Sequence, residues 1–167
     1  MTAMTEQTAA YRVAASTPDP ELPMLTIEDL GILRDVHYSP GLVTITITPT
    51  YSGCPAMREI TADIHSRLIR AGFPRVTVVA LLAPAWTTDW ITEDGHRKLS
   101  ANGIAPPSPA PRRGGPIPLT LTAPPSPACP RCGSSDTVRT AEFSATACKS
   151  LNRCKECGEP FEGVKAL

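Results

Sequence analysis

The chain has 167 residues, 41% of them hydrophobic, with 16 basic side chains against 16 acidic ones and a formal net charge of zero. That length suits one ordinary domain or two small ones, and with no basic stripe the electrostatic footprint of a nucleic-acid partner is missing. No apolar run approaches the roughly 20 residues that cross a bilayer, which argues against a membrane span.

Residues 1–18 are small and polar, with weak helical character over residues 9–15, and are expected to form a mobile tail. The start lacks the basic and apolar stretches of a secretory signal, so the chain is expected in the cytoplasm with its cysteines reduced. Asp19 and Glu21 stand between Pro18, Pro20 and Pro23 on a stiffened loop, where solvated charge is the default reading. Residues 42–48 alternate Val43, Ile45 and Ile47 with Thr44, Thr46 and Thr48, the period of a strand with one buried face. An earlier strand over residues 32–37 and the turn at Pro40-Gly41 complete a hairpin.

After Pro55 the period changes. Met57, Ile60, Ile64 and Leu68 recur at helical spacing opposite Arg58, Glu59, Asp63 and Arg67, until Gly72 and Pro74 stop the helix, which covers the sheet. Residues 75–83 are a mostly apolar, β-branched run, too continuous for an exposed edge and suited to a central strand packed on both sides or beside the hairpin. Strand, strand, helix, strand makes an α+β domain over residues 19–104. Trp86 and Trp90, just after the last strand, either face a partner or close the core at the end of the sheet.

Residues 105–127 hold nine prolines around Arg112-Arg113-Gly114-Gly115 and are expected to be an extended linker, with a strap supported by Ile117, Leu119 and Leu121 as the second reading. Residues 128–167 are too few to be held by burial alone. Their pattern is Cys129-Pro130-Arg131-Cys132, twenty-one residues, then Cys154-Lys155-Glu156-Cys157. Two residues between cysteines let a tight turn present both sulfurs to one ion, and Gly133 and Gly158 follow where such a knuckle needs positive φ. Four thiolates close a tetrahedral site, so the metal is structural; zinc leads, and iron suits the same ligands. With strands near residues 137–143 and 147–153, the tail reads as a zinc-ribbon-like β domain.

Two cysteines remain. Cys148 lies about 20 Å along an extended strand from Cys154, too far to replace a ligand, and is either a small buried residue or a functional thiol. Cys54, in Gly53-Cys54-Pro55, caps the amphipathic helix with Pro55 at its first position. Unpaired amides there suit an anionic sulfur, although a tight turn needing a small residue explains it equally. No phosphate-binding loop, nucleophile elbow or paired histidines point to catalysis by the chain itself.

Residues 19–34 (DPELPMLTIEDLGILR), 51–57 (YSGCPAM), 84–90 (PAWTTDW) and 144–149 (SATACK) resemble the PaaD (PaaJ) family, accessory proteins of the phenylacetyl-CoA epoxidase system. The first domain is similar to that of SufT and the cytosolic iron-sulfur targeting factors. The resemblance implies a non-enzymatic role in assembling or inserting an iron-sulfur cluster, for the epoxidase reductase first and its diiron oxygenase second, or together with the iron-sulfur assembly machinery. It also implies that Asp19 and Glu21 belong to an acidic motif, that Cys54, with Cys148 as a candidate helper, holds a transient cluster, and that Cys129, Cys132, Cys154 and Cys157 are the ribbon ligands. One thiolate cannot complete a cluster site, so a homodimer or a client would supply the rest. A stable structural subunit of the oxygenase, with Trp86 and Trp90 at its interface, is the rival reading. Glu162-Gly163-Val164 replaces the aromatic continuation expected in the family, so the last ribbon strand is expected to be short or differently packed.

Overall fold

The computed structural model describes residues 3–51, 53–108 and 126–166. Most of the predicted linker, including Arg112, Arg113 and the Ile117, Leu119 and Leu121 strap, lies outside the described residues. The chain is α+β and divides into two compact units, residues 1–86 with 90–95 and residues 87–89 with 96–167.

In the first unit β1 (Leu33–Ser39) and β2 (Leu42–Ile47) form the expected hairpin, antiparallel with Val36 opposite Ile45. Helix α2 (Ala56–Arg70), which neighbours strand β3 (Val76–Ala80) and helix α1 (Ala3–Ala15), buries Ile60, Ile64 and Leu68, and β2 buries Val43, Ile45 and Ile47, all essentially without solvent exposure. It starts one residue later than the sequence suggests: Pro55 takes the cap position with helical dihedrals, and Cys54 precedes it. Strand β3 (Val76–Ala80) lies beside the hairpin, parallel to β2, but the order β1-β2-β3 makes it an edge. The expectation of a strand packed on both sides is therefore corrected. β-Branched propensity reports a pleated, half-buried surface and cannot distinguish a central strand from an edge.

The expected tail is also corrected. Residues 3–15 form helix α1 (Ala3–Ala15), with Ala10 and Ala14 fully buried and neighbours on β1 and α2. Its contact face is made of alanines, so the sequence carries only a weak amphipathic signal.

Trp86 donates its indole N–H to the carbonyl of Leu30 at 2.9 Å and is buried. The Arg34 guanidinium lies 3.6 Å from the ring centroid of Trp90. Gly31 makes this packing possible: its φ is +66° and an added Cβ would run into the carbonyl of Trp90.

In the second unit the sheet order is β4-β7-β6-β5, built from β4 (Ile104–Ala105), β5 (Thr137–Ala141), β6 (Lys149–Cys154) and β7 (Pro160–Val164). Helix α3 (Glu93–Ala101), which hydrophobic periodicity does not announce, precedes β4. Ala105, assigned to the linker by composition, is buried in β4 and pairs in parallel with Gly163. The last strand is neither short nor irregular, because β7 pairs with β6 from Lys149–Val164 through Arg153–Pro160. Gly163 explains the missing aromatic residue: a Cβ there would meet Pro127 at 2.9 Å and Asn152 at 3.1 Å.

Candidate metal centre and the Cys54 loop

Two turns of the same design build the metal site. The N–H of Cys129 donates to the carbonyl of Ser134 and the N–H of Gly133 to that of Cys129, both at 2.9 Å. In the second turn the N–H of Cys154 donates to Glu159 at 2.9 Å and that of Gly158 to Cys154 at 3.1 Å. Gly133 and Gly158 both have φ +76°, the left-handed conformation that the spacing requires. One knuckle precedes β5 and the other joins β6 to β7, so the antiparallel ladder holds the two pairs face to face.

The Sγ atoms of Cys129, Cys132, Cys154 and Cys157 all lie within 4.8 Å of one another. Cys129 and Cys157 are 3.8 Å apart and Cys132 and Cys154 3.6 Å. A tetrahedron with metal–sulfur bonds of about 2.3 Å has sulfur–sulfur edges of about 3.8 Å, so the four residues fit a thiolate-bound ion. None of the six cysteines forms a disulfide.

The N–H of Cys157 and neighbouring thiols pull the Cys154 thiol down to about 7 against the effect of its burial. At Cys132 the N–H of Ser134 favours the thiolate, but Cys154 and the other thiols outweigh it, and the thiol is pushed up to about 12. Four sulfurs this close cannot all be anionic without a cation among them. Arg131 pairs with Glu159 across the knuckles and feels the charge of Cys157 and Cys129, and Lys155 pairs with Asp136 at 2.8 Å.

Cys148 stands apart from this cluster. Its sulfur is 3.1 Å from Thr146 Oγ1, and its carbonyl accepts from Lys165 N–H at 3.0 Å. Next to it Lys149 is buried and donates to Glu162 at 2.7 Å, while Ser144 bonds the same carboxylate. Ser144 and Lys149 thus tie the β5–β6 connection to β7, a role that no spacing rule reveals.

Cys54 is half-buried, with its N–H on the carbonyl of Tyr51 and its own carbonyl accepting from Met57 N–H, both at 3.3 Å. Gly53, at φ +83°, makes the turn. Asp19 is not a solvated loop charge: it is 6% exposed, and one carboxylate oxygen accepts from the N–H groups of Glu21 at 2.9 Å and Leu22 at 2.8 Å. Burial raises its pKa, those two N–H groups oppose the rise, and the charges of Glu21 and Glu59 add to it. Glu59 lies in the first turn of α2, and its charge acts on Asp19. Trp86 is internal and therefore corrected as an interface residue, whereas Trp90 is half-buried beneath Arg34.

Comparison with known proteins gives both halves a context. The model of the PaaD zinc beta ribbon domain matches residues 115–165, and that of the iron-sulfur cluster assembly protein family matches residues 14–80. A protein of Escherichia coli (strain K12), named as a putative subunit of 1,2-phenylacetyl-CoA epoxidase, is 43% identical over 94% of this chain and 91% of its own length. The chain belongs to the PaaD family. An Fe-S protein maturation auxiliary factor of Porphyromonas gingivalis is 30% identical over 53% of this chain and 85% of its own length. A crystal structure of the domain DUF59 from Bacillus anthracis overlays with a TM-score of 0.54 at 24% identity, covering 57% of this chain and 92% of that one, and so shares the fold of the first unit. Among the described residues no helix is long and apolar enough to cross a membrane.

Proposed function

We propose that the chain is a non-catalytic maturation factor of the cytoplasm that helps assemble or insert an iron-sulfur cluster for the phenylacetyl-CoA epoxidase system, with the reductase as first client and the oxygenase as second. One observation carries this reading: the match to the iron-sulfur cluster assembly family spans the Asp19 loop and Cys54, the one cysteine before residue 129. The cluster is cargo. Cys54 is its transient sulfur ligand, Asp19 and Glu21 set the surrounding charge, and a second copy or the client completes the ligand set. The ribbon is a platform whose four thiolates hold zinc as a structural cross-link, and Arg131 offsets part of the negative charge of that site. Metal analysis of protein purified without oxygen should find one zinc per chain. An iron–thiolate absorption spectrum at that stoichiometry would replace zinc by iron.

The decisive test is maturation of the reductase under anaerobic conditions with iron and sulfide. A Cys54→Ser chain is expected to leave the client short of cluster while its own zinc content and melting curve match the wild type. Full maturation by that variant would remove Cys54 from the mechanism. The Escherichia coli relative is named as part of the epoxidase, which favours a second reading, a stable non-catalytic component of the oxygenase complex. Co-purification in fixed stoichiometry with the oxygenase, with a fully loaded reductase in its absence, would select it.

A further inference from the structure

Among the described residues, strand β3 leaves one side of the first sheet open. The N–H of Val43 donates to the carbonyl of Arg75 and the N–H of Leu81 to that of Ile47, both at 2.9 Å. In a parallel ladder alternate residues face the partner, so Arg75, Thr77, Val79 and Leu81 turn their backbone groups to β2, while Val76, Val78 and Ala80 turn theirs outward. Among the described residues no strand lies beyond them. Thr77 is exposed, as are Val79 at 38%, Leu81 at 45% and Leu82 at 63%. Residues 76–82 contain no charge and no proline, the usual devices that keep an edge strand from pairing.

We propose that β3 pairs antiparallel with β3 of a second copy, about a two-fold axis at Val78, so that the two sheets become one. The outward groups are symmetric about that residue: Val78 exchanges bonds with its own counterpart and Val76 with Ala80, which closes every outward amide and carbonyl of the strand. A two-fold interface needs a self-complementary patch, and this one is. An uncharged strand does not repel itself, and a chain of zero net charge meets no long-range repulsion from its copy. The one flanking charge is drawn aside, since the Arg75 guanidinium donates to the carbonyl of Gly41 at 3.2 Å. In this register Thr77 lies opposite Val79 of the other copy in both symmetric pairs, and Leu81 opposite the stem of Arg75. The pairing is independent of the cluster cargo.

Thr77→Lys combined with Val79→Lys puts like charges opposite each other in both pairs of this register, whereas Thr77→Glu combined with Val79→Lys puts opposite charges there. Sedimentation velocity of the full chain at micromolar concentration should find a dimer for the wild type, a dissociation constant raised about tenfold or more for the double-lysine variant, and recovery for the glutamate–lysine variant. Hydrogen exchange at Val76, Val78 and Ala80 should be slow in the wild-type dimer and fast in the double-lysine variant, with circular dichroism unchanged. A monomeric wild type, or a dimer indifferent to the two lysines, overturns the proposal. A wild-type monomer whose β3 amides become protected only when an epoxidase component is added also overturns it, and assigns the edge to that component.

Discussion

Asp19 shows how one residue can be both structural and functional. Its Oδ1 accepts both N–H bonds of the loop, so an amide at this position keeps that acceptor, loses the charge and puts an NH2 donor in place of Oδ2. An acid whose pKa is raised by folding costs stability as pH rises from its unfolded value through its folded one. The Asp19 contribution to wild-type stability should therefore fall over that acidic interval. Asp19→Asn should lack that loss and be no less stable than wild type at pH 7. Asp19→Ala abandons both bonds and should cost about 1–3 kcal/mol. Urea unfolding at several pH values checks all three; an Asp19→Asn chain as unstable as Asp19→Ala would show that the loop needs the charge itself. Burial of Asp19 was not legible in the sequence, because a carboxylate between prolines reads as solvent-facing until the backbone donors that satisfy it are known.

Among the elements, the ribbon holds a partly buried ion pair between Lys149 and Glu162. Glu162 is pushed up by burial, but Lys149 and Ser144 outweigh that and hold its carboxyl below the usual range. A lowered carboxylate pKa contributes stability above the unfolded value and loses it as pH falls through the folded one. Glu162→Gln should then destabilise the ribbon by about 1–2 kcal/mol near neutral pH, less than for a fully buried pair because the Glu162 side chain is 29% exposed. Lys149→Met with Glu162→Leu should recover most of that stability, since no charge is then left unpaired. Thermal melts of the metal-loaded chain at pH 7 measure the cost and its recovery.

The hairpin and α2 were legible because Val43, Ile45 and Ile47 and then Ile60, Ile64 and Leu68 display their periods plainly. Helices α1 and α3 were not. The buried side of α1 is alanine, and α3 has Leu99 as its one buried large apolar residue, so tertiary contacts rather than pattern define them.

For the whole molecule, the two units have different sources of stability. The first buries a set of large aliphatic side chains, among them Leu25, Ile45, Ile60, Ile64 and Leu68. The core cluster of the ribbon is Ala105, Cys129, Cys154 and Phe161, two of which are metal ligands. Structural zinc contributes roughly 10–16 kcal/mol in small domains. A strong chelator should thus unfold β5–β7 and leave β1–β3 and α2 intact. Residue-resolved hydrogen exchange should show protection lost over residues 137–164 and kept over residues 33–80. Cooperative loss of both units, or a ribbon unchanged without metal, would contradict this division.

Ligand spacing, knuckle glycines and hydrophobic period are local properties of a chain, and by themselves they determined the four-cysteine site, the hairpin and the covering helix. Which strand lies at an edge, whether an acid is buried, where Trp86 points, and the addition of Ile104 and Ala105 to the ribbon sheet depend on residues distant in sequence. Only the tertiary structure decided those, because burial and strand pairing are settled by what the rest of the chain brings alongside.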